Sequence, residues 1–342
     1  MSAYKGYGPD AMNDTSPGAT TGAPIPRPPI SVIVCTRDRP RLLRHCLEAL
    51  SRLTYTTYEV VVVDNASRDG STSQVVSATP FRYVREDRPG LDWARNRGAA
   101  EARYDIIAYI DDDARADPGW LDGVAGGFAD SRVSAMTGLV LPLELESEAQ
   151  RLFEAYGGMS KGVQPRLFQQ AWMRPRDVIA AHTIGVGANM AFRRSALEMV
   201  GGFDTALDVG TPACGGGDLD LFHRLVGAGL MLRYEPKALV RHEHRRGLDE
   251  LRRQIYSNGR SFGVYLIKIW RTHSVPRREA AGYAARWVMG WLVARLVRSA
   301  TGQLSFPVAL TWAEVWGALH APWAYVATYR HDRRMRRSLK AT

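Results

Sequence analysis

The sequence of 342 residues has only three cysteines, and no two of them have the spacing of a metal-binding pair. A zinc domain or a thiol redox enzyme would be expected to contain a CxxC pair or a Cys/His cluster. Folds that depend on disulfides are usually small domains with many cysteines, and this long chain with three cysteines does not match them. We therefore expect Cys35, Cys46 and Cys214 to be small, reduced core residues.

The first residues lack the apolar run that is typical of a signal peptide. Residues 1–28 are instead rich in glycine, proline, serine and threonine. A segment with so few apolar side chains does not bury enough surface to offset the entropy of folding. We expect residues 1–28 to be a disordered tail and the protein to be cytoplasmic.

A glycine-rich phosphate-binding loop is also missing. The turn after the first predicted strand reads TRDRP, over residues 36–40, without GxGxxG and without the lysine of a Walker A loop. This turn argues against a dinucleotide-dependent enzyme. It also counts against a nucleotidyltransferase, which we keep as the alternative enzyme class. A bound cation is then the expected means of neutralising ligand phosphates.

What is present is an alternation of β-branched runs and amphipathic helical patterns. The predicted strands lie at residues 29–36, 58–67, 81–87 and 105–110, and the intervening helices at 39–53, 68–78 and 90–102. Such alternation is typical of an α/β fold with a parallel sheet. Residues 143–183 are weakly periodic and suit a lid or an insertion. We expect one catalytic domain over residues 29–247.

Three consecutive carboxylates, Asp111, Asp112 and Asp113, follow the fourth predicted strand. Ligands of open α/β sheets bind beyond the carboxyl ends of strands, where Asp64 and the turn beginning at Thr36 also lie. Because side chains alternate in extended chain, Asp111 and Asp113 should share one side. Two carboxylates there suit Mg²⁺ or Mn²⁺. Adjacent carboxylates repel one another, so we also expect a positive group beside them.

Six motifs in order resemble those of glycosyltransferase family 2. They are ISVIVCTRDRP, VVVVDNASRDGS, RPGLDWARNRGAAEA, IIAYIDDDARADPGWL, GANMAFRRSALEMVGGFD and GGGDLDLFHRL, and the resemblance covers roughly residues 30–245. It implies the GT-A fold, a Rossmann-like, mostly parallel sheet flanked by helices, here with a C-terminal helical extension. It also implies inverting transfer of a sugar from a nucleotide-diphosphate sugar to a hydroxyl acceptor.

The resemblance also assigns a nucleotide-sugar site. The assigned positions are Thr36, Arg37, Asp64, Arg95, Asn96, Asp111 and Asp112. Among them, Asp64 matches the aspartate that recognises the base, and Asp111 and Asp112 match residues that face the ribose and the diphosphate. The pair Arg95 and Asn96, in the ARN motif, lies where the family contacts the nucleotide.

A metal site follows from the same motifs. Asp113 matches the metal-binding aspartate, and His242 matches a histidine that completes the metal shell in some members. With the alternation of side chains, we expect Asp111, Asp113 and His242 to hold Mn²⁺ or Mg²⁺. An imidazole ligand favours Mn²⁺. His244 is the competing choice for His242.

Asp218 matches the general base of the family. A hydroxyl that attacks C1 must lose its proton, so a carboxylate is needed opposite the leaving group. Gly217 precedes Asp218 where family members usually have an acidic residue, which makes Asp220 the competing position. One base and one metal site suit a single displacement, whereas a glycosidase would need a pair of catalytic carboxylates.

The C-terminal part is short of acidic residues. From Arg233 to Thr342 there are 21 lysines and arginines but seven aspartates and glutamates, a net charge of +14. Six of the nine tryptophans follow Gly247. The apolar segments 286–300 and 306–329 are interrupted by charged residues or prolines. They are expected to be helices that lie in a membrane interface or pack on the core, not bilayer spans.

Region 248–342 therefore predicts a protein bound peripherally to the cytoplasmic face of the cell membrane, with a lipid-linked or cell-surface glycan as acceptor. The residues expected at the headgroups are Trp287, Trp291, Trp312, Trp316 and Trp323, with Arg286 and Arg295 at the edge of the bilayer. Because no nucleic-acid-binding motif is visible, we expect no nucleic-acid partner. A non-catalytic membrane scaffold remains an alternative, although it would not need four aspartates at one rim. The sequence leaves the oligomeric state open.

Overall fold

The structure is a computed structural model and describes residues 27–338. The expected tail lies outside the described residues except for its last two positions. Arg27 forms a 2.7 Å ion pair with Asp122, and the carbonyl of Pro28 accepts a 2.7 Å hydrogen bond from the hydroxyl of Tyr55.

Nine strands in the described residues form one mixed sheet. They are β1 (Ile30–Thr36), β2 (Tyr58–Asn65), β3 (Arg82–Glu86), β4 (Ile106–Asp111), β5 (Ala114–Ala116), β6 (Val133–Pro142), β7 (Arg166–Phe168), β8 (Asn189–Arg193) and β9 (Met231–His242). Their order is β3-β2-β1-β4-β8-β6-β9-β5, and β7 pairs with β9. β1 to β4, β6 and β9 point one way, so the sheet is mostly parallel, as predicted.

Twelve α-helices in residues 27–338 surround the sheet. They are α1 (Pro40–Leu50), α2 (Ser71–Ser77), α3 (Leu91–Glu101), α4 (Trp120–Gly127), α5 (Glu148–Tyr156), α6 (Pro175–Ile179), α7 (Arg194–Met199), α8 (Gly217–Gly227), α9 (Leu248–Thr272), α10 (Arg277–Arg286), α11 (Ala294–Ala300) and α12 (Val308–Ser338). A π-helical segment, Trp287–Val293, joins α10 to α11.

Both faces of the sheet are covered, which explains the continuous β-branched runs. On one face Val32 packs in a cluster with Leu47 of α1 and Leu121 of α4. On the other face Ile33 shares a cluster with Ala94 of α3 and Phe222 of α8. Strands buried on both faces cannot alternate apolar with polar residues. This covering leaves only the ends of the strands open to a ligand.

The C-terminal helices pack closely on the part of the protein that contains the sheet and on one another. A side chain at Gly259 or Gly263 of α9 would overlap α12, and one at Gly317 of α12 would overlap the carbonyl of Tyr256. Small residues at these points let the two helix backbones approach. None of the helices in the described chain is long and apolar enough to cross a bilayer.

The structure corrects part of the expectation for the headgroup-facing residues. Trp291 is turned inward and donates a 2.8 Å hydrogen bond to Glu314. Arg295 is buried, with its guanidinium 4.0 Å from the ring centre of Phe306 and 3.8 Å from the Glu314 carboxylate. Trp287 packs against Phe262 at 5.0 Å. These side chains pack at the interface between the C-terminal helices, whereas Trp312, Trp316 and Trp323 are exposed.

Candidate active site

The candidate site lies at the carboxyl ends of β1, β2 and β4. In the sheet register, Thr36 lies beside Asp64, and Cys35 lies beside Asp111. The backbone amide of Asp111 also donates a 3.4 Å hydrogen bond to the carbonyl of Ala188, the residue before β8. The register therefore brings the polar strand ends to one rim, as the sequence predicted.

Asp111, Asp113 and His242 form a cluster with one ligand atom of each within 4.8 Å of the others. Pairing of β5 with β9 sets Ala114 opposite His242 and so brings the histidine beside the carboxylates. Nε2 of His242 is 3.0 Å from Oδ1 of Asp113, but this buried oxygen accepts no hydrogen bond from the described residues. An orphaned carboxylate oxygen, a second carboxylate and an imidazole fit a divalent cation.

Arg39 supplies the positive group that the three carboxylates require. Its Nη1 is 3.1 Å from Oδ1 of Asp112 and 3.2 Å from Oδ2 of Asp113. Asp112 is not part of the cluster of Asp111, Asp113 and His242, and it also accepts a 2.7 Å hydrogen bond from Thr36. Sequence reasoning placed Arg39 at the rim but did not name it as a site residue, because only the folded chain shows which carboxylates it contacts.

The three carboxylates differ in their affinity for protons. Burial and the negative charge of Asp113 raise the pKa of Asp111 to about 6 and that of Asp112 to about 7. Burial would also raise the pKa of Asp113, but the imidazole of His242 and the guanidinium of Arg39 outweigh it, so this pKa is lowered. Asp113 therefore carries the most persistent negative charge of the triplet.

His244, the competing metal ligand, lies behind His242. Its Nδ1 is 3.1 Å from Nδ1 of His242, and its Nε2 is 2.8 Å from Oε1 of Glu154 on α5. Both ring nitrogens of His244 are thus engaged by other side chains. The structure consequently places His242 in the cluster and His244 in contact with it from outside.

Asp64 is buried at the end of β2 and is held from several sides. Its carboxylate accepts hydrogen bonds from the Tyr83 hydroxyl at 2.7 Å, from Arg85 at 3.2 Å and from the amide of Ser67 at 3.0 Å. Arg37, also predicted for the nucleotide site, is exposed at the same rim. Tyr83 and Arg85 are additional rim residues whose role the sequence did not reveal.

Arg95 and Asn96 have different surroundings although they are adjacent in sequence. Arg95 is buried, with Nη1 3.0 Å from Asp92 and 2.6 Å from Asp208. The side-chain Nδ2 of Asn96 donates to the carbonyl of Phe203, and its Oδ1 accepts from the backbone amide of Phe203, both at 2.9 Å. The structure thus gives Asn96 a backbone-anchoring contact, and its predicted contact with a nucleotide stays a prediction.

Asp218 is at the start of α8, close to Arg95. A side-chain carbon at Gly187 would lie 2.9 Å from Nη2 of Arg95 and 3.2 Å from Oδ2 of Asp218, so the two groups flank this glycine. Oδ2 of Asp218 accepts a 2.7 Å bond from the Gly187 amide. Burial, followed by the charge of Asp208, raises the pKa of Asp218. A carboxylate with a raised pKa is a better proton acceptor.

The competing position, Asp220, is neutralised inside the protein. Its carboxylate is buried and forms ion pairs with Arg224 at 2.7 Å and with Lys268 of α9 at 2.5 Å. Asp220 therefore joins α8 to α9 and does not face the rim. The departure at Gly217 also has a structural cause, since a side chain there would overlap the Asp92 carboxylate and approach Asp208 to 2.7 Å.

Comparison with known proteins agrees with this geometry. A sequence profile described as glycosyl transferase family 2 matches residues 31–201, which is half of the chain. The chain belongs to glycosyl transferase family 2. The fold, with its sheet, flanking helices and C-terminal extension, is the GT-A fold that the sequence predicted.

Similar proteins include named glycosyltransferases. The pre-mycofactocin glycosyltransferase of Mycobacterium tuberculosis is 29% identical over 250 residues, 68% of this chain but 48% of that protein, so the match spans about half of its length. Glycosyltransferase AglE of Haloferax volcanii is 23% identical over 274 residues, 78% of this chain and 82% of that protein. The mannosyltransferase PcManGT from Pyrobaculum calidifontis, solved with GDP-Man and Mn²⁺, superposes with a TM-score of 0.61 at 20% identity, covering 90% and 91% of the chains.

Proposed function

We propose that this protein is a metal-dependent, inverting glycosyltransferase that moves a sugar from a nucleotide-diphosphate sugar to a hydroxyl acceptor. The observation that carries the proposal is the cluster of Asp111, Asp113 and His242 at the carboxyl edge of the sheet. Asp218, next to Gly187, supplies a further carboxylate. Family membership supports the same class of reaction.

In this proposal Asp111, Asp113 and His242 hold Mn²⁺ or Mg²⁺. The bound cation would neutralise the diphosphate and stabilise the charge that develops on the leaving group. The nitrogen ligand favours Mn²⁺, and the structurally similar PcManGT was solved with Mn²⁺. Arg39 would favour the ionised forms of Asp112 and Asp113 and hold both in place, since it contacts both.

The nucleotide part of the donor is assigned to the rim between β1 and β3. Asp64 would recognise the base, with Tyr83 and Arg85 orienting its carboxylate. Thr36 positions Asp112 toward the ribose and diphosphate, and Arg37 extends the same rim. Arg95 and Asn96 are proposed to complete the donor site, Arg95 through the positive charge that it holds near Asp218 across Gly187.

Asp218 is the proposed general base. The acceptor hydroxyl gives its proton to the Asp218 carboxylate as its oxygen bonds to C1 of the sugar. The bond from C1 to the diphosphate oxygen breaks in the same displacement, and the configuration at C1 inverts. The amides of Gly187 and Leu219, 2.7 and 2.8 Å from the carboxylate, hold the base in place for this step.

We propose residues 29–247 as the catalytic domain and residues 248–342 as a region that brings it to a membrane surface. The net charge of +14 from Arg233 onward and the exposed Trp312, Trp316 and Trp323 support this assignment. A lipid-linked or cell-surface glycan is then the proposed acceptor, on the cytoplasmic face of the membrane.

A donor screen tests the proposal. Thermal unfolding is measured with GDP-, UDP-, dTDP- and CDP-sugars, each with and without Mn²⁺. A true donor at about 100 times its Kd should stabilise the protein by about 2.7 kcal/mol, and only when the cation is present. Release of the nucleoside diphosphate should accompany that donor. If none of the four classes stabilises the protein with Mn²⁺ and none is consumed, the proposed activity is wrong.

A further inference from the structure

The exposed face of α12 carries a continuous apolar stripe. Trp316, Leu319 and Trp323 are 57%, 63% and 64% exposed, and Trp312 and Val326 continue the stripe at either end. These five positions follow one another in steps of four and three residues, which keeps them on one side of a helix. Exposed indoles in such a row are unusual unless something covers them.

Packing against α9 fixes the direction in which this stripe points. Residues of α12 that face the protein, such as Ala321 and Ala324, are buried. Close approach at Gly259, Gly263 and Gly317 prevents α12 from rotating about its axis without clashes. The tryptophans therefore stay on the outer side.

Toward the C-terminus of α12, arginines occupy the positions that continue the apolar stripe. Arg330, Arg333 and Arg337 follow Val326 in the same steps of four and three residues, and all three are exposed. The whole stripe is about 38 Å long at 1.5 Å per residue. The two acidic residues of α12, Glu314 and Asp332, are both buried. The outer face of α12 thus combines tryptophan and arginine without a carboxylate.

A cavity of about 510 Å³ lies beside the first two tryptophans. Arg252 and Arg253 of α9 line it together with Trp312 and Trp316, and Asp249 contributes one carboxylate. Two guanidinium groups next to indole rings suit a phosphate group attached to an apolar body.

We infer that the outer face of α12, with the cavity beside it, is a docking surface for an anionic phospholipid bilayer. This inference deepens the membrane association given under the proposed function and rests on it. Tryptophan is enriched where a protein meets the headgroup layer, and arginine pairs with lipid phosphate. In a parallel pair of α12 helices the C-terminal arginines of two copies would face one another. In an antiparallel pair they would face Arg252 and Arg253 beside the first tryptophans of the other copy. Both arrangements bring like charges together, which favours the anionic lipid as occupant over a second copy of the chain. Docking would lay α12 flat and hold the catalytic domain at the headgroups.

The test is sedimentation of the full chain with vesicles, in the absence of donor and Mn²⁺. One set of vesicles is pure phosphatidylcholine, and the other contains about 30 mol% phosphatidylserine. The protein should sediment with the anionic vesicles, and less so as salt is raised. The double change Trp316→Ser/Trp323→Ser should abolish binding, and Arg330→Gln/Arg333→Gln should weaken it by about fivefold per arginine.

Matched controls use residues outside the stripe. Trp172→Ser removes an indole that is 53% exposed, and Arg97→Gln/Arg132→Gln removes two exposed arginines; both should bind like the wild type. A blue shift of tryptophan fluorescence in the unmodified protein, on addition of anionic vesicles, checks the inference without any substitution.

Three results would overturn the inference. The first is absence of the unmodified protein from the pellet with anionic vesicles. The second is equal binding by the stripe variants and the wild type. The third is self-association that needs Trp316 and Trp323 but no vesicle, which would make this face a contact between copies. Because donor consumption is measured separately, failure here leaves the proposed sugar transfer unaffected.

Discussion

The Nδ1 atoms of His242 and His244 lie 3.1 Å apart, so one of the two rings must donate a hydrogen to the other. The carboxylate of Glu154 accepts from Nε2 of His244 at 2.8 Å. A neutral His244 with its proton on Nε2 has only an acceptor at Nδ1. His242 then carries a proton on Nδ1, which leaves its Nε2, 3.0 Å from Oδ1 of Asp113, as the nitrogen available to a cation. The pair therefore sets the tautomer that metal binding requires.

His244→Ala should lower the affinity for Mn²⁺ by about 10- to 100-fold, because His242 loses the group that orients its ring. Titration of the protein with Mn²⁺, followed by electron paramagnetic resonance, measures this directly. His320→Ala serves as control, since His320 bonds to Tyr256 away from the site. Unchanged Mn²⁺ affinity in the His244 variant would show that the second histidine is only a packing residue.

Asp113→Ala should remove the metal-dependent part of nucleotide diphosphate binding, at least about 100-fold in affinity, together with nearly all turnover. Asp113 has the lowered pKa of the triplet and an oxygen without a hydrogen bond from the described residues, so it is the strongest cation ligand of the cluster. Calorimetric titration with and without Mn²⁺ tests this. The exposed Asp117→Ala should behave like the wild type; an Asp113 variant that keeps Mn²⁺-dependent affinity would refute the assignment.

Asp218→Asn should lower the rate of the chemical step, whereas Asp220→Asn should lower the stability of the protein. Loss of the general base lowers kcat by about 10²- to 10⁴-fold with donor binding intact. Asp220→Asn instead leaves Arg224 and Lys268 without their buried partner, which should cost about 3 kcal/mol of stability. Single-turnover kinetics and chemical denaturation of both variants separate the roles. Full kcat in Asp218→Asn together with its loss in a folded Asp220→Asn would reverse the assignment.

At low pH, the decrease of kcat with falling pH should reflect protonation of Asp218. A protonated carboxylate accepts no proton, so kcat falls about tenfold per pH unit below this raised pKa. Asp208→Asn removes a negative charge that raises the pKa of Asp218, and the acid limb should therefore move to lower pH. Asp130→Asn, at a partly exposed position away from the rim, should leave the profile where it is. A limb that does not move with Asp208→Asn would point to another titrating group.

Gly217→Ala should destabilise the protein by about 1–3 kcal/mol, because the new carbon would overlap the Asp92 carboxylate and approach Asp208. Gly227→Ala, at the other end of α8, has no atom within 4 Å of the added carbon. It should be neutral or stabilising by up to about 1 kcal/mol. Thermal unfolding compares the two. Equal stability of both variants would mean that the Asp92 and Asp208 carboxylates can move away from the added carbon at little energetic cost.

The sequence by itself determined the parallel part of the sheet and the rim. Short β-branched runs such as those in 30–36 and 58–65 are typical of strands buried on both faces, and strands in one direction bring their carboxyl ends together. The positions of Asp64 and of the Asp111–Asp113 triplet followed directly. Asp111 and Asp113 do come together at the rim, but alternation in extended chain is not the reason. β4 ends at Asp111, and Asp112 and Asp113 lie in the turn before β5.

The tertiary structure decided which groups meet across long sequence separations. Arg39 reaches the triplet only because α1, which it precedes, packs beside β5 directly after the triplet. Asp220 is neutralised only because Lys268 of α9 packs against α8. Similarly, Trp291 and Trp316 lie in equally apolar segments, yet one is turned inward to Glu314 and the other outward. A local pattern shows that a helix has an apolar side, but packing against other helices determines whether protein covers it.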